Sequence, residues 1–173
     1  MKLNVREIAV FGMLSAMMYA SKKLMEILPN IHLLGAIIIA ITIVYRKKAL
    51  YPIYTYVLTD GLFSGFATWW VPYLYVWTVL WGAVMLLPKN IPVKIRPIVY
   101  MVLCALHGLL FGVLYAPVQA FFFNLDFRGT LAWIAAGFPF DLIHGVSNFF
   151  CGALIVPMIN ILRRAEKQKF SSI

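Results

Sequence analysis

The chain has 173 residues, 63% of them hydrophobic and only 12% charged. Soluble domains run at about 45–50% apolar and about 25% charged, so a soluble fold of this size has no interior large enough for so much apolar surface, and lipid is the solvent that accepts it. The net charge of +9 belongs to no basic, aromatic domain of the kind that tracks a phosphate backbone, so it reads as membrane topology and not as nucleic-acid binding.

A helix needs about 20 mostly apolar residues to cross the hydrocarbon core. Charge, Pro and Gly divide the chain into six such stretches, which predicts an all-α integral membrane protein in a single transmembrane domain over 1–173. The first runs over 5–25. Its apolar stretch from Ile8 to Ala20 ends in Lys22-Lys23 with no small-x-small cleavage site, so it is expected to stay as a helix and not be removed as a signal peptide. The second helix, over 31–45, is short. The third covers 49–66, the fourth 71–87 and the fifth 97–117. Leu131 to Ala136 reads as a short interfacial piece. The sixth helix starts near Pro139, a favoured first position, and covers 139–162. Cys104 and Cys151 lie inside apolar runs and read as buried free thiols.

Orientation follows from the basic residues. One side holds Lys2, Arg6, Arg46, Lys47, Lys48, Lys89, Lys94, Arg96, Arg163, Arg164, Lys167 and Lys169, and the other holds Lys22, Lys23 and Arg128. That asymmetry predicts both termini in the cytoplasm of a bacterial cell, with the chain a multi-pass protein of the plasma membrane. The outer segments carry Trp69, Trp70, Tyr73, Tyr75, Trp77, Phe121, Phe122, Phe123, Phe127 and Trp133. An aromatic belt at the interface accounts for some of these. The inner edge is poorer in aromatics, with Tyr45, Tyr51 and Tyr100 and no Trp. That difference favours an aromatic-lined pocket open to the outside.

Polar groups inside a bilayer cost several kcal/mol unless paired, so each is a functional candidate. Asp60 lies eleven residues past Ala49, roughly 16 Å along the helix at ~1.5 Å per residue. It is either a strut to another helix or a ligand contact. Asp141, His144 and Asn148 are spaced i, i+3, i+7 on the last helix and share one face. Measured back from Leu162, Asn148 sits roughly 21 Å and Asp141 roughly 31 Å above the inner edge. The stripe either braces helices or binds ligand. Lys22 either snorkels to the interface or reaches an anionic group on a ligand. His107 reads as a packing histidine. A metal site built from Asp141, His144 and His32 is the weaker option, and no metal or other cofactor is expected. No Ser with a neighbouring base, HExxH or GxSxG is present, so the chain is not expected to be an enzyme, and no residue is assigned as catalytic. Gly12, Ala16 and Ala20 recur every four residues on the first helix, a spacing that lets another helix approach closely.

These features together resemble the substrate-binding S components of energy-coupling factor (ECF) transporters, over essentially the whole chain. The Gly12/Ala16/Ala20 strip is similar to the alanine-rich docking motif on helix one of that family, with Gly12 in place of an alanine. The segment Gly137-Phe-Pro-Phe-Asp141-Leu-Ile-His144-Gly-Val-Ser-Asn148, leading into Pro157, looks like the final helix of many members. Trp69-Trp70-Val-Pro72-Tyr73-Leu-Tyr75-Val-Trp77 resembles their aromatic entry to helix four. The resemblance implies high-affinity binding of a vitamin or related micronutrient in an outward-facing pocket, and delivery through a membrane T component and two cytosolic ATPases. The ligand contacts expected are Asp141, His144, Asn148, Asp60, Trp69, Trp70, Tyr73 and Lys22, and the docking residues Gly12, Ala16 and Ala20. No Walker A sequence is present, so ATP hydrolysis falls to partners. The competing expectation is a structural membrane protein of the cell-shape-complex type, in which the small-residue strip holds a permanent partner and no ligand is carried.

Overall fold

A computed structural model describes residues 3–28 and 30–167. Lys2 and Lys169, counted above among the basic residues of one side, lie outside that range. The described residues are helical, with α1 over Val5–Met25, α2 over Leu34–Tyr45, α3 over Leu50–Ser64 and α4 over Tyr73–Leu86. They continue with α5 over Arg96–Leu109, α6 over Phe111–Phe123, α7 over Phe127–Cys151 and α8 over Ile155–Lys167. No strand occurs among the described residues.

The helix ends follow local chemistry. Asn4 opens α1 with a capping box: its Oδ1 accepts from the Glu7 amide (2.8 Å), and the Glu7 carboxylate accepts from the Asn4 amide (3.1 Å). Gly65, at φ 90, closes α3 in a conformation that favours a residue without Cβ. Asn124, in the left-handed region, closes α6. Asp126 then caps α7 by accepting from the Gly129 amide at 2.7 Å.

Three of the expected boundaries move. The fifth helix does not stop at Pro117. Helical structure runs from Arg96 to Phe123 with an interruption at Leu110. The sixth does not start at Pro139. It starts at Phe127, takes in the piece from Leu131 to Ala136, and carries Pro139 in its interior. The Asp126 cap fixes that start, and apolar surroundings tolerate an interior proline better than water does. Pro157 has no N–H to give the carbonyl of Ala153, and the chain answers with a 3-10 turn over Gly152–Leu154 before α8. The second helix begins at Leu34, later than Ile31.

Two helical stretches are long and apolar enough to cross a membrane, Arg96–Phe123 and Phe127–Lys167. Only 22% and 33% of their most apolar windows are buried, whereas the core helix of a soluble protein hides most of its apolar length. Leu62, Phe63, Val102, Leu106, Phe140 and Phe150 are all exposed.

The short α2 is the centre of the bundle. Every residue from Leu34 to Thr42 is buried, with α4, α5 and α8 packed round it. α1 lies against α3, and the α5–α6 stretch lies along α7. Glycines allow that last approach. A Cβ on Gly145 would stand 2.4 Å from Leu109 Cγ, and one on Gly108 would stand 2.9 Å from the His144 carbonyl oxygen. At one end of the bundle the chain is tied together by polar contacts. An Arg6 guanidinium nitrogen donates to the Ala165 carbonyl (2.9 Å), Lys48 pairs with Glu7 (2.5 Å), and the Tyr45 hydroxyl donates to Glu166 (3.3 Å). The described start of the chain, the α2–α3 turn and the end of α8 therefore share one end.

Candidate functional site

The opposite end of the bundle carries the polar interior. Lys22, in the last turn of α1, places its ammonium 2.5 Å from the Asp60 carboxylate on α3. Asp60 is fully buried, and the Lys22 side chain is 18% exposed. The Ser64 hydroxyl reaches the other carboxylate oxygen at 3.4 Å. The same ammonium lies 4.9 Å from the Trp69 ring centroid and 5.2 Å from that of Tyr73, within cation–π range. Of the two readings open for Asp60, the structure displays the strut between helices, with Lys22 as the partner. Trp70 is likewise engaged. Its indole N–H donates to the Val57 carbonyl at 2.8 Å, and its ring meets Phe66 edge-on.

From this roof a chain of rings descends between the helices. Trp69 meets Tyr73 (5.5 Å between centroids), Tyr73 meets Trp77 (5.4 Å), and Trp77 meets His107 on α5 (5.6 Å), Phe111 on α6 (5.9 Å) and His32 ahead of α2 (6.3 Å). Tyr56 on α3 approaches Trp77 at 6.5 Å. His144 on α7 lies 4.6 Å from His32 and 4.8 Å from Phe111. Tyr115 closes the upper side and donates its hydroxyl to the Trp69 carbonyl at 2.9 Å.

The Asp141/His144/Asn148 stripe is buried along its whole length, and its three members do different work. Asp141 accepts from the Gly112 amide at 3.0 Å. A Cβ on Gly112 would stand 2.2 Å from the Asp141 carboxylate. Asp141 therefore braces α7 against the start of α6, close to the interruption at Leu110. Asn148 donates through Nδ2 to the Cys104 carbonyl (3.3 Å), while its Oδ1 has no partner. His144 has no partner for Nε2.

That last property is shared. Among the described residues the buried side-chain atoms left without a hydrogen bond are His32 Nδ1, Tyr56 Oη, Trp77 Nε1, His107 Nδ1, His144 Nε2 and Asn148 Oδ1. Five of them belong to the ring cluster, and Asn148 lies one turn below His144. Each unpaired buried group costs about 1–3 kcal/mol, and native folds rarely collect them. Only His144 and Asn148 had been picked out as ligand contacts. Trp77, Tyr56, His107 and His32 are not among the ligand contacts expected from the sequence: the last three are isolated there, while Trp77 belongs to the aromatic stretch that begins at Trp69. The signal that was available is that Trp77 stands one turn after Tyr73. Among the described residues no group of three or more His, Cys, Asp or Glu is placed to hold a metal ion. Gly12, Ala16 and Ala20 all lie on the exposed side of α1.

Comparison of the chain with protein-family models, with curated proteins and with solved structures gave no match.

Proposed function

We propose that this chain is a membrane-embedded binding protein of the ECF S-component type, which takes up a vitamin or related micronutrient from the outer face. The observation that carries the reading is the cluster of unpaired buried polar atoms among rings that meet edge-on or tilted. Trp77 Nε1 is a donor only and Asn148 Oδ1 an acceptor only; His107 Nδ1 accepts, because its Nε2 N–H donates to the Val76 carbonyl at 3.1 Å, while Tyr56, His32 and His144 serve either way. The complement is a flat heteroaromatic ring with both donors and acceptors along its edge. Ring faces of Trp77, Phe111 and His144 supply stacking, worth about 0.5–1.5 kcal/mol per pair beyond burial. Lys22 and Asp60 hold the roof.

In this reading the six helical legs α1, α2, α3, α4, α5–α6 and α7–α8 traverse the bacterial plasma membrane, with both termini on the cytoplasmic side. The exposed Gly12/Ala16/Ala20 strip faces out of the bundle, where a membrane T component would dock, and two cytosolic ATPases would supply the energy. The test is native mass spectrometry of the detergent-purified chain. A co-purified ring compound, or one captured from a panel of vitamins and nucleobases, is the expected result. A chain that stays empty after incubation with that panel overturns the reading in favour of a structural membrane protein.

A further inference from the structure

The end of the bundle opposite the ring cluster contains a cavity of about 380 Å³. Four cationic side chains line it: Arg46 after α2, Lys89 in the α4–α5 connection, Arg96 at the start of α5, and Arg163 near the end of α8. No carboxylate lines it. The acids described at this end are engaged elsewhere, Glu7 with Lys48 and Glu166 with the Tyr45 hydroxyl. Arg46 and Arg96 each spend one guanidinium nitrogen on a carbonyl, that of Met85 at 3.4 Å and that of Ile91 at 2.9 Å. Each guanidinium carries five N–H donors, so most remain available. Among the described residues Lys89 and Arg163 form no ion pair.

A second observation points the same way. Arg46 has φ 54 and ψ −121, a backbone conformation that belongs to glycine and not to a long side chain. Its carbonyl is pinned there by the Trp81 indole N–H at 3.1 Å. Strained residues that persist in this way cluster at binding sites. α5 also begins beside the cavity without a side-chain cap, so the partial positive charge of its first turn adds to the four cations. On the other side the lining is apolar, from Ile43, Val84 and Leu87.

We infer that this cavity binds the phosphate of an anionic phospholipid headgroup in the inner leaflet. The combination of convergent cations with an apolar wall suits a phosphodiester attached to a glycerol and acyl chain, and a cavity of this volume falls within the range of ligand sites. The inference rests on the membrane placement proposed above but not on the transported ligand.

The experiment uses the full chain in detergent, titrated with short-chain phosphatidylglycerol, phosphatidylcholine or inorganic phosphate, and reads retained adducts by native mass spectrometry. Phosphatidylglycerol is expected to be retained at concentrations at least about tenfold lower than phosphatidylcholine, which corresponds to the loss of one charge-assisted contact. Millimolar phosphate should leave that retention unchanged. Lys89→Gln with Arg163→Gln, both exposed and so compatible with folding, should abolish the preference. Equal retention of the two lipids, or a preference that survives the double substitution, overturns the site. Competition by inorganic phosphate overturns the lipid as its source and makes it a free-phosphate site. Carbonate extraction of membranes separates the two levels. A chain released by carbonate refutes the membrane placement, whereas a membrane-retained chain without lipid preference refutes only this cavity's role.

Discussion

Removing the Lys22 ammonium is the sharpest test of how the ring-cluster end is held. Asp60 has no exposed surface, and the Ser64 hydroxyl reaches it only at 3.4 Å, a long contact for an O–H donor. Lys22→Met therefore strands a buried carboxylate, and breaking such a pair from one side costs about 3–5 kcal/mol. The reverse substitution, Asp60→Leu, leaves a cation that is 18% exposed and seated over the Trp69 and Tyr73 rings. Water and the ring faces keep part of its stabilisation, so the cost falls to about 1–2 kcal/mol. Replacing both groups by apolar side chains is expected to be near neutral, because the two desolvation costs vanish together. The prediction is a coupling energy of at least about 2 kcal/mol in the double-mutant cycle. Unfolding of the detergent-solubilised chain by SDS titration, followed by tryptophan fluorescence, measures it. If the two single costs add to within about 0.5 kcal/mol in the double variant, the pair is not a buried strut and the account of the roof is wrong.

His144→Phe keeps the edge-on ring contacts with His32 and Phe111 and removes the unpaired Nε2, so it is expected to raise stability by about 1 kcal/mol while weakening ligand binding about tenfold. Opposite signs in the unfolding and binding assays are the signature of a group kept for a ligand, and a loss in both refutes that role. Gly112→Ala places a methyl 2.2 Å from the Asp141 carboxylate, and an overpacked interior of this kind costs about 1–3 kcal/mol. Asp141→Ala in the same chain should restore part of it, and a Gly112→Ala chain as stable as its parent would show that Asp141 does not brace α7 against α6. Ala16→Trp, on the exposed side of α1, should abolish uptake in cells and leave ligand binding by the purified chain unchanged. A parallel loss of binding would place Ala16 in the fold of the site and not in a docking surface.

What was legible in the sequence is what periodicity and charge encode. The i, i+3, i+7 spacing put Asp141, His144 and Asn148 on one buried face, and the structure has them buried. The spacing of Gly12, Ala16 and Ala20 put them on one strip, and that strip is exposed. Partners were not legible, because a helix face does not announce what it meets. Asp60 and Lys22 are 38 residues apart, and nothing in either segment indicates that α1 lies against α3. The spacing leaves Asp141 open between a brace and a ligand contact, and only the fold shows that the Gly112 amide donates to it. The rings that carry the unpaired atoms come from five separate segments, before α2 and on α3, α4, α5 and α7, and only packing round α2 brings them together. Pro139 misled for a related reason. A proline marks a helix start in water, where its missing N–H is one of the unpaired amides of the first turn, but the Asp126 cap had already begun the helix at Phe127.

The two ends of the molecule treat charge in opposite ways, and this bears on what the ring-cluster site distinguishes. In the cavity at the end where α2 and α8 finish, four cations line the wall without a carboxylate. At the ring-cluster end Lys22 is closed on Asp60 and Asp141 on a backbone amide, and the atoms left unpaired belong to indole, phenol, imidazole and carboxamide groups. A site whose free groups are hydrogen-bonding edges selects by the pattern of donors and acceptors on the ligand, because an analogue lacking one leaves a buried group unpaired again. Sites of that kind discriminate by up to about 10⁴-fold, against about 10–200-fold for a single methylene in an apolar pocket. Once a ligand is identified, analogues with one ring heteroatom replaced by C–H should lose far more affinity than analogues altered in a charged substituent. Isothermal titration across such a series decides it: equal losses for the two kinds of change would mean that charge, through Lys22 or Asp60, sets the specificity after all.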